Sequence, residues 1–353
     1  MKSLDDSLTF AADREGMLGH ADALGRELAA SWEASESVTL PDLTDLNGLV
    51  IAGVGGSASA ADAFAALAND TARIPITVTR GFSLPGWVTP GTLVVVSSYS
   101  GETDEALAMF EDAQRRGAPI VVITSGGKLA AMASAAGSAT YSIAYRSQPR
   151  AAFAHGLGPL LYLGRQLGLT QISGDEVRAA AAAHGRWVQS ALGPAVPQAH
   201  NPAKRLAMAC ERRLPWVLGA GHLAPSATRF KNQFAENGKR LAAAETLPEA
   251  GHNLIVGLDE ASSSWPPATL ITLESARWAD RSVQSRFEAF ATLWQERGLP
   301  AHRCIIDGAT QLDDILLATA LGDFTSCYIG LLRGIDPSPV APIDAFKRRS
   351  APA

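Results

Sequence analysis

The sequence predicts an α/β protein of two units, each a mostly parallel sheet with helices on both faces in a three-layer arrangement. Three observations carry this. Short continuous apolar runs alternate with helical segments from Leu49 to Leu167, and strands that are apolar throughout are strands covered on both faces. The alternation restarts after GPAVPQAHNP (Gly193–Pro202), a stretch whose prolines and glycine mark a boundary. The 353 residues, at about 150 per domain, make two domains.

The elements follow in order. Residues 5–31 read as a helix, with apolar spacing through Leu18, Ala21, Leu24 and Leu28. Strands are expected at Leu49–Val54, Ile76–Arg80, Leu93–Ser98, Ile120–Thr124 and Thr140–Ala144. Pro75 stands just before the second, where a missing N–H does least harm. Helices are expected at Ser59–Leu67, Thr103–Arg116, Lys128–Ala135 and Ala152–Leu167, with an Ala-rich helix within residues 170–200. The second half reads strand Leu214–Gly219, helix Ala227–Ala243, strand Ala268–Ser275, helix Arg281–Arg297, strand Ala301–Asp307 and helix Asp313–Leu332. A Pro-rich tail then ends in a basic cluster. The expected organisation is an N-terminal helical segment (1–35), a first α/β domain (36–168), a helical linker (169–200) and a second domain with its tail (201–353). The second half repeats the architecture of the first, although the letters barely match.

Composition narrows the class. Hydrophobic residues make up 47% and charged ones 18%, enough for a large core. The net charge of −5 advertises no basic face, so nucleic acid is not an expected partner. Three cysteines, Cys210, Cys304 and Cys327, show no metal spacing, and their odd number argues against a disulfide framework. No His/Asp/Glu cluster has metal spacing, and no cofactor is expected. The start MKSLDDSLTF has no signal-peptide pattern. No run of about 18 apolar residues is free of charge and turn residues. The expectation is a cytoplasmic protein with no membrane partner.

Two stretches carry the chemistry. GVGGSASAAD (Gly53–Asp62) directly follows the apolar run LNGLVIA, and SSYSGETDEAL (Ser97–Leu107) follows the third strand. In an open parallel sheet, ligands sit beyond the carboxyl ends of the strands. A helix N-terminus there offers unpaired N–H groups and partial positive charge to an anion. Gly53, Gly55 and Gly56 let the backbone approach closely. Hydroxyls on Ser57, Ser98, Ser100 and Thr103 each have a proton to give a phosphate oxygen. Neither loop holds a lysine, so neither is a Walker loop. Helix capping alone accounts for a lone glycine turn of this kind. It does not demand the S-x-S-G-x-T spacing of the second loop.

SSYSGET and GVGGSASAAD resemble the two loops of the sugar isomerase (SIS) domain, a phosphosugar-binding α/β domain, over residues ~40–165. Ala58 and Ser59 depart from it, standing where glycine is more usual. The second half narrows the resemblance. FAENGKRLAAAETLPEAGHN (Phe234–Asn253) carries Glu236-Asn237, then Pro248-Glu249, then His252-Asn253. SQPRAAFAHGLGPLL (Ser147–Leu161) and the ending IDPSPVAPIDAFK (Ile335–Lys347) complete the order. Together they resemble the bifunctional phosphoglucose/phosphomannose isomerase family over nearly the whole chain. The small residues after Asn237 differ from the bulkier ones of relatives, which leaves another phosphosugar open.

The resemblance implies two SIS-type domains, a phosphosugar substrate and a set of roles. Gly55, Gly56, Ser57, Ser98, Ser100 and Thr103 would hold the phosphate. Glu236 would shuttle the proton between C1 and C2 of a cis-enediolate, from a helix able to face the carboxyl end of the second sheet. His252 and Lys347 would open the ring, and Arg150 would stabilise the enediolate. His252 would act in its own or in the neighbouring subunit's site, the second making a homodimer with shared active sites necessary. Each has a plainer reading. Glu236 alone is an exposed helix glutamate, Glu249 a loop cap, His252 a surface histidine and Arg150 an ion-pair residue. Lys347 sits in a basic tail. His222, after a strand end, is the reserve candidate. Trp87, Trp216 and Trp294 read as core or interface aromatics. Competing functions are an isomerase of another sugar phosphate or amino-sugar phosphate, and a phosphosugar-sensing protein without catalysis. The first 35 residues are too short and too acidic for the DNA-binding segment a sensor of that kind carries.

Overall fold

In the computed structural model, which describes residues 3–259 and 267–350, the chain forms two units. The N-terminal unit holds residues 23–185 and 308–316; the C-terminal unit holds 1–22, 186–307 and 317–353.

The N-terminal unit runs α1 (Met17–Ser35, from Ala23 on), β1 (Gly48–Ala52), α2 (Gly55–Ala68), β2 (Ile76–Thr79), β3 (Thr92–Ser98), α3 (Asp104–Arg115), β4 (Ile120–Thr124), α4 (Gly127–Ala136), β5 (Ala139–Ser142), α5 (Phe153–Gln166) and α6 (Gly174–Trp187). Its sheet is parallel throughout, in the order β2-β1-β3-β4-β5. The central strands β1, β3 and β4 are buried at every residue, whereas edge strand β2 is only half-buried. That is why the three central runs read as unbroken apolar letters. On one face Val50, Val94 and Val122 pack with Phe110 of α3 and Leu129 of α4. Elsewhere α5 lies close to α2 because residue 164 is glycine: a Cβ there would come within 2.5 Å of the Phe64 ring.

The C-terminal unit runs α7 (Pro202–Cys210), β6 (Leu214–Ala220), α8 (Ala224–Glu236), β7 (Ala243–Leu247), β8 (Ala268–Ser275), α9 (Arg281–Glu296), β9 (Ala301–Ile306), α10 (Gln311–Leu332, from Leu317 on) and α11 (Ala341–Ser350). Its parallel order β7-β6-β8-β9 repeats β2-β1-β3-β4, so the architectural repeat is real. Trp216 and Trp294 join its core with ring centroids 6.0 Å apart. Trp87, in the other unit, is 46% exposed.

Three segments differ from expectation. Residues 5–31 are a short 3-10 helix (Ser7–Ala12) followed by α1. The break comes at Gly16, with φ +71°, and the Asp13 carboxylate accepts from the N–H groups of Met17 and Leu18 at 2.7 and 3.0 Å. The helix expected at Ala227–Ala243 stops at Glu236, and Ala243–Leu247 is strand β7. Ala-Ala-Glu-Thr favours helix locally, but parallel pairing with β6 overrides it. The Pro-rich tail ends as α11, none of whose residues is buried. Helix α10 contains an 18-residue window with mean hydropathy 1.6, apolar enough to cross a membrane; 94% of it is buried inside the fold, as in a core helix. All three cysteines are free thiols.

Candidate active site

Both glycine-serine loops stand at carboxyl ends of neighbouring strands of the N-terminal sheet, the first after β1 and the second after β3. The chain leaves β1 toward β2 on one side and β3 on the other, so this is where the strand order reverses. Crevices at such points bind ligands.

The first loop turns into α2 at Gly55, whose φ of +57° disfavours any side chain. Val54 caps the helix with extended backbone and makes no side-chain cap. The first N–H groups of α2 are therefore not closed off by a capping oxygen, and its first turn holds no acidic residue. This is the anion-binding end of a helix dipole. A Cβ on Gly53 would lie 2.7 Å from the Ser97 carbonyl and 3.3 Å from Cβ of Ser57, so the two loops meet here. A Cβ on Gly56 would lie 2.6 Å from the Pro149 carbonyl and 3.3 Å from Cα of Arg150. Glycine at 56 thus lets the Pro149–Ala152 turn rest on α2, and it brings Arg150, itself 2% exposed, to the loop.

In the second loop, the hydroxyls of Ser98 and Thr103 share a hydrogen bond of 2.9 Å. Ser98 Oγ also accepts from the Gly101 N–H, and Ser100 Oγ from the Glu102 N–H, both at 3.2 Å. Thr103 caps α3 through backbone geometry alone, without a side-chain bond to the helix N–H groups. The first turn of α3 does carry Asp104 and Glu105, which offset part of its dipole. Of the two helix ends, that of α2 is the one whose dipole no first-turn carboxylate offsets.

A third turn, unremarked in the sequence, supports the second. Thr124-Ser125-Gly126-Gly127-Lys128 follows β4. Ser125 donates its N–H and its hydroxyl to the Tyr99 carbonyl at 3.0 and 2.6 Å. The Leu129 N–H bonds the Gly101 carbonyl at 3.0 Å. Any Cβ on Gly101, at φ +68°, would overlap the Gly126 carbonyl oxygen. Glu102 turns to this loop, accepting from the Lys128 N–H at 2.9 Å with the Lys128 ammonium at 3.2 Å. The Lys128 N–H and ammonium together hold the Glu102 carboxyl below its ordinary value. The signal was a third strand-to-helix glycine pair, SGGK.

In the C-terminal unit Glu236 is the last residue of α8. Its place corrects one expectation. β6 and β7 are parallel and α8 joins them, so the end of α8 lies at the amino ends of these strands, not the carboxyl ends. Arg240, just past the helix, confirms this by donating from Nε and its guanidinium to the carbonyl of Arg213, just before β6, at 3.2 and 3.0 Å. The helix is held by a buried polar ladder. The Arg229 guanidinium bonds both Asp323 oxygens at 3.0 and 2.8 Å, Gln233 donates to Asp323 at 2.6 Å, and Asn237 donates to Ser326 at 3.0 Å. That places the asparagine of the Glu-Asn pair, 1% exposed, in the framework under Glu236.

His252 is exposed and follows β7, its N–H bonded to the Glu249 carbonyl at 2.8 Å. Glu249 accepts from Asn253 at 2.7 Å, which makes it a loop brace. Glu236 thus precedes β7 and His252 follows it, with a five-residue strand of roughly 16 Å separating the two ends. His222 is buried in the turn Gly221–Leu223 after β6. Lys347 is exposed on α11. The structure therefore gathers the phosphate-loop residues and Arg150 within one unit, while Glu236, His252 and Lys347 belong to the other, Glu236 and His252 at opposite ends of β7.

Known proteins bear directly on this arrangement. Residues 42–159 match the SIS domain model, and residues 199–349 match that of the bacterial phospho-glucose isomerase C-terminal SIS domain. A bifunctional phosphoglucose/phosphomannose isomerase of Caldicellulosiruptor bescii is 31% identical over 330 residues, 93% of this chain and 97% of that protein. One from Aquifex aeolicus is 29% identical over 308 residues, covering 87% and 91%. Among solved structures, the C-terminal domain of glucosamine-fructose-6-phosphate aminotransferase from Francisella tularensis aligns with a TM-score of 0.73 at 12% identity, covering 92% of this chain and 98% of that one, a likeness of fold. The Caldicellulosiruptor match, nearly end to end, together with the two domain models, establishes that this chain belongs to the bifunctional phosphoglucose/phosphomannose isomerase family.

Proposed function

We infer that the protein is an aldose–ketose isomerase that interconverts glucose 6-phosphate, and also mannose 6-phosphate, with fructose 6-phosphate. The observation that carries this is the uncapped N-terminus of α2, flanked by the Ser98–Thr103 hydroxyl pair and by buried Arg150. It offers a phosphate dipoles and neutral donors, with the backbone of Arg150 packed against the same helix end.

In the reaction, the ring opens by loss of the O1 proton and protonation of O5, steps assigned to His252 and Lys347. The Glu236 carboxylate then removes the C2 proton of the open aldose. The electrons move into a C1–C2 double bond and onto O1, giving the cis-enediolate. Transfer of the O2 proton to O1 and return of the carbon-bound proton from Glu236 to C1 yield the ketose. Arg150 stabilises the negative charge that develops on the oxygens. Glucose 6-phosphate and mannose 6-phosphate differ only at C2, and the enediolate erases that difference. One carboxylate can then serve both if the C2–C3 bond turns.

The positions of Glu236 and His252 at different ends of β7 support a homodimer in which His252 completes the neighbouring subunit's site. Coupled assays with glucose 6-phosphate and mannose 6-phosphate side by side test the assignment. Comparable turnover of both is expected; turnover of neither overturns it.

A further inference from the structure

Lys239 lies three residues beyond Glu236, and nothing in the sequence sets it apart. Its backbone has φ +50°, a left-handed conformation in which a non-glycine residue is uncommon. Gly238 directly before it has no such φ, so the strained position is filled by the residue with the side chain. A residue kept in a costly conformation points to a use for that side chain.

The side chain has one. Its ammonium donates to the Glu236 main-chain carbonyl and to the Pro337 carbonyl at 2.7 Å. The first acceptor belongs to the last turn of α8, where carbonyls lack helical partners and the dipole is negative. The second belongs to the buried turn that opens the tail, fixed by the Ser338 N–H on the Asp336 carboxylate at 3.0 Å and by the Ile335 N–H on the Gly330 carbonyl at 2.9 Å. From that turn the chain runs to α11 and Lys347. Arg333 adds weaker bonds to the carbonyls of Gly238 and Lys239 at 3.4 and 3.3 Å. Asn237, one residue past Glu236, meanwhile donates to Ser326 at 3.0 Å.

We propose that Lys239 is a positioning residue for the isomerisation: its ammonium ties the end of α8 that carries Glu236 to the Asp336–Ser338 turn, setting where the carboxylate stands. This rests on Glu236 as the proton shuttle. A group misplaced by about 1 Å costs on the order of 10²-fold in rate, so a tether that sets a helix end acts on turnover.

The test compares K239M, K239R and K239G with E236Q, using fructose 6-phosphate turnover, thermal midpoints and the transfer of deuterium from C2 of labelled glucose 6-phosphate to C1 of the product. K239M should lower kcat roughly 10- to 100-fold with little change in KM, and should lower the fraction of label transferred, because a displaced carboxylate loses its proton to water. K239R, which keeps two-point donation, should recover most of both. K239G relieves the left-handed strain and should melt no lower than K239M, yet lose kcat similarly; it carries the test alone if K239M folds poorly. If K239M and K239G keep kcat and label transfer while E236Q abolishes turnover, the positioning role is wrong and the function stands. If E236Q itself keeps turnover, the shuttle assignment fails and this inference fails with it.

Discussion

Arg150 shows how a single residue acquires its role from its neighbours. In the sequence it is one arginine among many, in a proline turn. In the structure it is 2% exposed and sits where the absence of a side chain on Gly56 lets its turn rest on α2. A buried guanidinium is always charged, so in the proposed mechanism it supplies fixed positive charge that costs no reorganisation as the enediolate forms. Replacing it with methionine should lower kcat by about 10²–10³-fold, the scale of a lost oxyanion donor. R150K, which keeps the charge, should retain more activity than R150M. Steady-state kinetics on fructose 6-phosphate read both; equal activity in R150M and wild type would remove Arg150 from the mechanism.

At the level of elements, function depends on how helices are seated. The helix that bears Glu236 is held to α10 by Arg229 and Asp323, 4% and 6% exposed. Removing one partner of such a pair leaves a buried charge uncompensated. D323A should therefore destabilise the fold by about 3–5 kcal/mol, seen as a lower denaturation midpoint in urea. A loss within 0.5 kcal/mol, the range of ordinary surface changes, would show the ladder to be incidental. The first loop makes a complementary prediction. G56A puts a Cβ 2.6 Å from the Pro149 carbonyl, so the turn must shift, at a cost of about 1–3 kcal/mol for an overpacked contact. Because the turn carries Arg150, G56A should raise KM for the sugar phosphate as well as lower the melting temperature. A change in stability alone would separate the turn from the site.

For the whole molecule, two properties reach beyond any one element. The first is its response to pH. Burial pushes the Glu27 carboxyl up to about 7, against the hydrogen bond from Tyr145, and His155 lies 3.7 Å away. A carboxyl whose folded value lies above its unfolded value near 4.5 takes up a proton on folding. Its contribution to stability is present below about 4.5 and is lost as pH rises toward 7. Half-buried His155, shifted down by desolvation, acts in the opposite sense over the lower part of this range, so the wild-type profile alone is ambiguous. The difference between E27Q and wild type isolates the carboxyl: the melting temperature of E27Q relative to wild type should climb between pH 5 and 8. A flat difference would contradict it. The second property is assembly. If each site takes His252 from the neighbouring subunit, E236Q and H252A, each inactive alone, should regain activity when dissociated and reassociated together. Random pairing of two subunits gives half mixed dimers with one intact site of two, so about a quarter of wild-type activity is expected. No recovery would confine each site to a single subunit.

The sequence by itself determined the alternation of strands and helices and the types of chemical group at the loops. Both are local facts: a central strand is apolar at every letter because both its faces are covered, and a glycine-serine turn needs only a strand before it and a helix after it. Tertiary structure decided what depends on partners distant along the chain. AAAET became β7 through pairing with β6, against its local preference for helix. The end of α8 fell at the amino ends of the strands because β7 runs parallel to β6, which put Glu236 and His252 at different ends of one strand. The SGGK turn became a support for SSYSGET only once β4 lay beside β3. Lys239 gained its second acceptor when the fold brought the Pro337 carbonyl within reach of its ammonium. Burial leaves a periodic trace in the letters, whereas the choice of partner is made by packing and strand pairing across the chain.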